Sequence, residues 1–166
     1  MTAYTFAVLA PTHNVGAFSC GHAEIDDYLH NRAAQEQAAG LCQVYVVADG
    51  AHRVWAYGTL SPLSLRVDGN LLRVVGMAQS PYVQIGGYLL GRLGTDQTVQ
   101  HGGMGASVVA RLSKIAAQLR DITGGVFLAV DPKEDWLVSW YQKLGFSRLS
   151  PDPTRRKMVL PLASVP

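Results

Sequence analysis

"LLGRLGTDQTVQHGGMGASVVARL", Leu89–Leu112, runs from an apolar, strand-like segment into a helix-like one and places Gly102, Gly103 and Gly105 between them. Met104, Val108, Val109, Leu112, Ile115, Ala116 and Leu119 recur at helical spacing, so the glycines open an amphipathic helix. A glycine-rich turn from strand to helix has few common uses, and spacing separates them. A Walker A loop requires Gly-Lys followed by Ser or Thr, whereas Gly105 is followed by Ala106 and Ser107. A dinucleotide fingerprint starting at Gly103 requires Gly or Ala at position 108, which is Val108. What remains is Gln100-x-x-Gly103-x-Gly105-Ala106, whose N–H groups at the positive end of a helix can encircle a pyrophosphate. A tight turn without a ligand is the other reading the spacing leaves open.

Outward from this stretch, "YTFAVLA" reads as a strand and "AEIDDYLHNRAAQEQAAG" as one helix, with Ile25, Leu29 and Ala33 on a face and Gly40 past its end. "CQVYVVAD" and "RVWAYGTLSPLSLRV" form a hairpin pattern, and "DGN" at Asp68–Asn70 predicts a further reversal into a strand, "LLRVVGM". "GGVFLAVD", Gly124–Asp131, is continuously apolar, as in a strand covered on both faces. "KEDWLVSWYQKLG" predicts a helix with Leu137, Trp140, Tyr141 and Leu144 on one side and Gly145 as a left-handed cap, followed by closing strands "FSRL" and "RRKMVLPL". This order implies an α/β (α+β) layer architecture, a mixed sheet flanked by helices, in a single domain over residues 1–166.

Length and composition agree with that reading. A chain of 166 residues, 48% apolar and 16% charged, can bury an ordinary core. No apolar run approaches the roughly eighteen residues that span a bilayer, and "MTAYTFAVLAPTH" lacks the basic start of a signal peptide, so a cytoplasmic protein with no membrane association is expected. Cys20 and Cys42 are the only cysteines, which disfavours a disulfide framework or a thiolate zinc site. Cys20, His22, Asp26 and His30 include an i, i+4 pair able to meet a metal, but no metal is expected. Charge is unevenly spread: residues 51–120 carry seven Lys or Arg against two acids, whereas residues 1–50 carry one against five. Arginine supplies ten of the fourteen positive charges, which suits an anionic partner.

The glycine motif between "LLGRLGTD" and its helix resembles the Q/R-x-x-G-x-G/A acetyl-CoA signature of the GNAT acyltransferase superfamily, and "WYQKLGF" after "VFLAVD" resembles that superfamily's tyrosine-containing segment. Over nearly the whole chain, "FSCGHAEIDDYLHNRAAQEQAAGLCQVYVVAD", "VWAYGTLSPLSL", "LLGRLGTDQTVQHGGMG" and "VDPKEDWLVSWYQKLGF" are similar to the GNAT toxins of type II toxin-antitoxin modules. The chain departs from their common "LGRLAVD" at Gly94 and Thr95, and at Pro132, Lys133 and Glu134 where an acidic residue and alanine are usual.

The resemblance implies a GNAT fold with a splayed strand pair and an N-acetyltransferase that moves the acetyl group of acetyl-CoA to the α-amine of aminoacyl-tRNA, blocking translation. It assigns the pantetheine arm to main-chain groups of Leu93, Gly94 and Thr95, with Gly94 leaving the approach open. The pyrophosphate falls to Gln100, His101, Gly102, Gly103, Met104, Gly105 and Ala106, with Asp131 in the later motif also near the cofactor. Gly103 and Gly105 are expected where a Cβ would crowd phosphate oxygens. Tyr141 is the implied general acid for the CoA thiolate, and Trp140 and Phe146 pack near the cofactor. The basic residue nearest the reacting strand, Arg92, is the first candidate for tRNA, ahead of Arg66, Arg73 and the run Arg155, Arg156, Lys157. The implied partners are a ribbon-helix-helix antitoxin, operator DNA reached only through the antitoxin complex, which would act as a repressor, and a second copy in a homodimer. Two other functions use the same residues: acetylation of a small amine or protein lysine, and a catalytically silent acetyl-CoA-binding corepressor.

Overall fold

The computed structural model describes residues 2–166. Seven strands, β1 (Thr5–Val8), β2 (Gln43–Ala48), β3 (Val54–Arg66), β4 (Gln84–Thr95), β5 (Phe127–Val130), β6 (Ser147–Arg148) and β7 (Met158–Pro161), form one sheet in the order β1-β2-β3-β4-β5-β7-β6. β4 and β5 are parallel; β1/β2, β2/β3, β5/β7 and β6/β7 are antiparallel, so the sheet is mixed. The β4–β5 ladder is short, Tyr88↔Leu128 and Leu89↔Ala129, while β4 itself continues to Thr95. Five helices flank the sheet: α1 (Ala23–Asn31), α2 (Ala33–Ala38), α3 (Gly69–Val75), α4 (Met104–Thr123) and α5 (Asp135–Lys143).

The chain divides into two compact units, one holding the residues up to Ser61 with Gly91–Leu112, the other Pro62–Leu90 with Ser113–Pro166. In the first, Phe18, Tyr28, Leu29, Val44, Val46 and Tyr57 are buried together. Tyr57 stacks on Tyr28 and meets Phe18 edge-on, and its hydroxyl donates to Ile25 O at 2.7 Å, so a large aromatic is buried with its polar end satisfied. Gly58 permits close packing of α4, since a Cβ there would lie 2.7 Å from Leu112 Cδ1. In the second unit, Leu71, Phe127, Ala129 and Val159 form the buried cluster, and all four residues of β5 are buried, as its continuously apolar sequence predicts.

Two elements differ from the sequence expectation. The segment after Asp68 is a helix, α3, rather than a strand. The Asp68 side chain accepts the Leu71 N–H at 2.8 Å as an N-cap, Gly76 closes the helix at φ +76°, and Leu71 is buried in the core. Paired end caps and one buried anchor outweigh the β preference of its valines. The expected long helix after His22 is broken at Arg32, where the backbone turns to φ −128° and ψ −32°, giving α1 and α2 with Ala33 wholly buried beyond the break.

Candidate active site

The glycine loop precedes α4, as its sequence predicts. Ser107 N–H to Gly103 O, at 3.0 Å, is the first bond into the helix, which leaves the N–H groups of Met104, Gly105 and Ala106 without an intrahelical acceptor. Such a row of amides at the positive end of a twenty-residue helix is electrostatically suited to an anion. Gly103 sits at φ +84° and a Cβ on it would meet nothing, so in this chain its backbone conformation, rather than crowding by protein, requires glycine. His101 adopts φ +65° without being glycine, a conformation disfavoured for a residue with a Cβ, and its side chain is exposed.

Side chains from elsewhere fix the segment leading into this loop. Gln100 Nε2 donates to Cys20 O and to Thr95 O, both at 2.9 Å, so its side chain ties the loop to the end of β4 and leaves ligand contacts to the backbone. Asp96, 2% exposed, accepts Thr98 N–H at 3.0 Å and Thr98 Oγ1–H at 2.7 Å on one oxygen, and Ser19 N–H at 3.1 Å on the other, with Arg53 at 3.6 Å. Burial alone would push its carboxyl up, but these hydrogen bonds and Arg53 outweigh burial and hold it below the usual carboxylate range. Gln97 N–H and Asp96 N–H complete the fixture by donating to Ser19 O and Trp55 O at 2.8 Å each. Sequence reasoning missed Asp96. The only signal available was its place two residues before Thr98, the spacing of an Asx-type turn.

At the end of β4, Gly94 is packed against the protein itself. A Cβ at Gly94 would lie 2.7 Å from Ile25 Cγ2, 3.1 Å from Phe18 Cζ and 3.3 Å from Tyr57 Cε1. The absent side chain therefore makes room for α1 and the aromatic core. Arg92 points the same way: its guanidinium lies 3.9 Å over the Tyr28 ring, and Tyr28 Oη donates to Glu36 Oε2 at 2.8 Å. Its backbone N–H donates to the buried Thr59 hydroxyl at 3.0 Å. Leu93 and Thr95 are half-buried.

In the second unit, Tyr141 is 6% exposed, its ring edge-on to Trp140 at 4.9 Å and to Phe146 at 5.3 Å. Its hydroxyl has no hydrogen-bond partner among the described residues, yet it is not sealed in, because the one fully enclosed polar side-chain atom without a partner is Arg53 Nε. Burial pushes the Tyr141 phenol up, which keeps it protonated across the physiological range. The phenol is therefore protonated and without a hydrogen-bond partner among the described residues.

The remaining sequence candidates are placed as follows. Asp131 accepts from Lys157 Nζ at 3.0 Å, and Arg156 pairs with Asp135 at 2.9 Å, so two members of the 155–157 basic run are held in ion pairs. Arg66 and Arg73 are exposed in the second unit, whereas Arg92 belongs to the first. Arg73 borders a cleft of about 520 Å³ with Arg148 and the Leu149–Pro153 loop. Cys20 is buried, its N–H bonded to Asp26 Oδ1 at 2.8 Å and its thiol pushed up to about 11, chiefly by burial. His30 Nε2 is 2.9 Å from Phe18 O. Among the described residues no group of three or more His, Cys, Asp or Glu side chains is arranged to hold a metal, and no helix is long and apolar enough to cross a membrane.

No protein-family model matches the chain. Solved structures do. AtaT complexed with acetyl-methionyl-tRNAfMet superposes with a TM-score of 0.88 at 20% identity, covering 98% of this chain and 97% of that one. A tyrosine-to-phenylalanine mutant of the AtaT toxin, bound to the C-terminus of the antitoxin AtaR and acetyl-CoA, gives 0.81 at 19% identity over 98% and 95% of the two chains. The KacTA–DNA complex gives 0.82 at 21% identity over 98% and 96%. With its seven-stranded mixed sheet flanked by helices and near-complete overlap with these toxins, this chain has the GNAT fold.

Proposed function

We propose that this protein is the toxin of a type II toxin-antitoxin module, an acetyl-CoA-dependent N-acetyltransferase that acetylates the α-amine of aminoacyl-tRNA and so blocks translation in the cytoplasm. The observation that carries the proposal is the pairing of two features in one GNAT fold: free amides of Met104, Gly105 and Ala106 at a helix start, and a protonated, unpaired phenol at Tyr141. Solved structures of this fold include one with acetyl-methionyl-tRNA and one with antitoxin and acetyl-CoA, the latter a tyrosine-to-phenylalanine mutant.

In this reading the amides from Gln100 to Ala106 bind the pyrophosphate of acetyl-CoA, and the main chain at Leu93–Thr95 pairs with the pantetheine arm and supplies the oxyanion donor. Such a donor contributes roughly 3 to 4 kcal/mol to an acyl transfer. The α-amine of the aminoacyl ester titrates below or near a free α-amine, roughly 7.7 to 8.0, so enough is neutral to attack without a dedicated base. The amine nitrogen forms a bond to the acetyl carbon, the tetrahedral intermediate collapses, and the C–S bond breaks with the electron pair going to sulfur. Tyr141 donates its proton to that sulfur, and the proton that the nitrogen sheds on becoming an amide passes to solvent, from which the phenolate is reprotonated. The phenol's raised pKa does not oppose this transfer, because desolvation that raises the phenol raises a departing thiolate in the same site as well. Arg92, held over Tyr28, is the first candidate for tRNA contact, and Arg66 and Arg73 are further candidates. Phosphate contacts of this kind make activity fall with rising salt.

The partners follow the same reading: a ribbon-helix-helix antitoxin, operator DNA through the antitoxin complex, and a homodimer. The toxins with which this chain shares its fold include one solved with its antitoxin's C-terminus and one in a complex with DNA.

The deciding experiment incubates wild type and Tyr141→Phe with labelled acetyl-CoA and charged bulk tRNA and looks for acetylated aminoacyl-tRNA. Transfer by wild type, reduced about 100-fold or more in the variant, is expected of a lost general acid. Wild type that binds acetyl-CoA without transferring to charged tRNA would redirect the search to small amines.

A further inference from the structure

We infer that Asp96 is the positioning residue of the donor site, holding the pyrophosphate loop in register with the end of β4. The inference rests on the acetyl-CoA reading above. In that reading the ligand groups of the loop are backbone N–H groups, whose direction is set by how the Thr95–Gln100 segment enters it, with the Gln100 side chain tied back to Cys20 O and Thr95 O. Asp96 is where that segment is fixed.

Four donor groups converge on its carboxylate: Ser19 N–H, Thr98 N–H, Thr98 Oγ1–H and the Arg53 guanidinium. A carboxylate is acceptor-only when ionised, so it accepts the three hydrogen bonds and pairs with the Arg53 guanidinium at 3.6 Å at the same time. An asparagine would turn an NH₂ toward donors on one side and leave them unpaired in a buried place, at the cost such groups carry. Arg53 is itself held, stacked 3.8 Å over the Trp55 ring, while Trp55 Nε1 donates to Asp49 Oδ2 at 2.9 Å. The chain Asp49, Trp55, Arg53, Asp96 thus runs from the β2–β3 turn to the root of the loop. On its other side Asp96 grips Ser19, and Gln97 and Gln100 reach the same Ser19–Cys20 segment through Gln97 Nε2 to Ser19 Oγ at 3.0 Å and Gln100 Nε2 to Cys20 O. Asp96 acts on the cofactor only through the backbone it orients.

A truncated donor separates this role from general support of the fold. Acetyl-pantetheine carries the same thioester arm as acetyl-CoA but no pyrophosphate. In Asp96→Asn, calorimetric affinity for acetyl-CoA is expected to fall about ten- to hundredfold, as misplacement of binding groups does elsewhere, with KM for acetyl-CoA rising in step and kcat little changed. Turnover with acetyl-pantetheine is expected to match wild type. Thr98→Val, which removes a single donor, is expected to shift acetyl-CoA affinity the same way by less, and it keeps the measurement available if Asp96→Asn does not fold. Unchanged acetyl-CoA affinity in both variants, or equal losses with both donors, would overturn the inference. A wild type that binds no acetyl-CoA would overturn it together with the reading it rests on, whereas binding by wild type with unaffected variants overturns this inference alone.

Discussion

The loop from Gln100 to Ala106 and the helix around Tyr141 treat their polar groups in opposite ways. In the proposed reading the functional groups of the loop are main-chain amides, and the polar side chains of Asp96, Thr98 and Gln100 are engaged in hydrogen bonds that fix the segment leading into it. In the same reading the functional group at Tyr141 is a side-chain hydroxyl, packed by ring contacts with Trp140 and Phe146 and without a hydrogen-bond partner among the described residues. Binding a multiply charged anion calls for several rigid donors, whose aim must be set in advance. A proton donor must be free to find its acceptor when the C–S bond breaks, so orientation by ring packing serves it better than a hydrogen bond that would have to be broken first.

This contrast predicts that activity and stability separate at Tyr141 and move together at the loop. Tyr141→Phe, with its large loss of transfer, is expected to shift the melting temperature by less than about 3 °C, because the lost hydroxyl makes no protein hydrogen bond. A drop well beyond that, seen by calorimetry, would mean the hydroxyl has a structural role. Gln100→Ala removes two hydrogen bonds to main-chain carbonyls, so a stability loss of about 1 to 3 kcal/mol is expected, with weaker acetyl-CoA binding in the same variant. Denaturant unfolding and calorimetry on one preparation would show whether the two losses travel together.

The phenols sharpen the comparison through pH. Burial raises Tyr141 and Tyr57, so the folded state binds their protons more tightly than the unfolded chain, whose tyrosines titrate near about 10. The stability this contributes is fully present below that value and is lost as pH rises above it. Thermal unfolding from pH 8 to 11 is expected to show a falling melting temperature at the alkaline end, with a shallower fall in Tyr141→Phe. Transfer rates in the wild type are expected to show no decline below about pH 10 from loss of the Tyr141 proton. The smallest effect concerns His101: replacing it with glycine relieves a left-handed backbone and is expected to stabilise by about 1 kcal/mol, with acetyl-CoA affinity unchanged if only the backbone binds. Reduced affinity in His101→Gly would give the imidazole a phosphate contact of its own.

Much of this was legible in the sequence for identifiable reasons. The α4 stripe, the buried β5 run and the Gln100–Ala106 spacing are local patterns, and local patterns survive translation into structure because period and turn chemistry act within a few residues. The segment 69–75 misled because its valines favour strand, while its helix is decided by Asp68, Gly76 and the burial of Leu71 against residues more than fifty positions away. The packing constraint on Gly94 was not legible, since Ile25 and Phe18 lie some seventy residues off in sequence. The ion pairs of Asp131 with Lys157 and of Arg156 with Asp135 join residues more than twenty positions apart and were not legible in the sequence.

By itself, then, the sequence determined the α4 helix, the buried β5 strand, the glycine turn between β4 and α4 and the place of Tyr141 within the second motif, because each depends on spacing along a short piece of chain. The tertiary structure alone decided which polar groups stay free. Whether a buried carboxylate such as Asp96 is a clamp, or a phenol such as Tyr141 an unpaired donor, depends on groups brought together from distant parts of the chain, and no local pattern encodes that pairing.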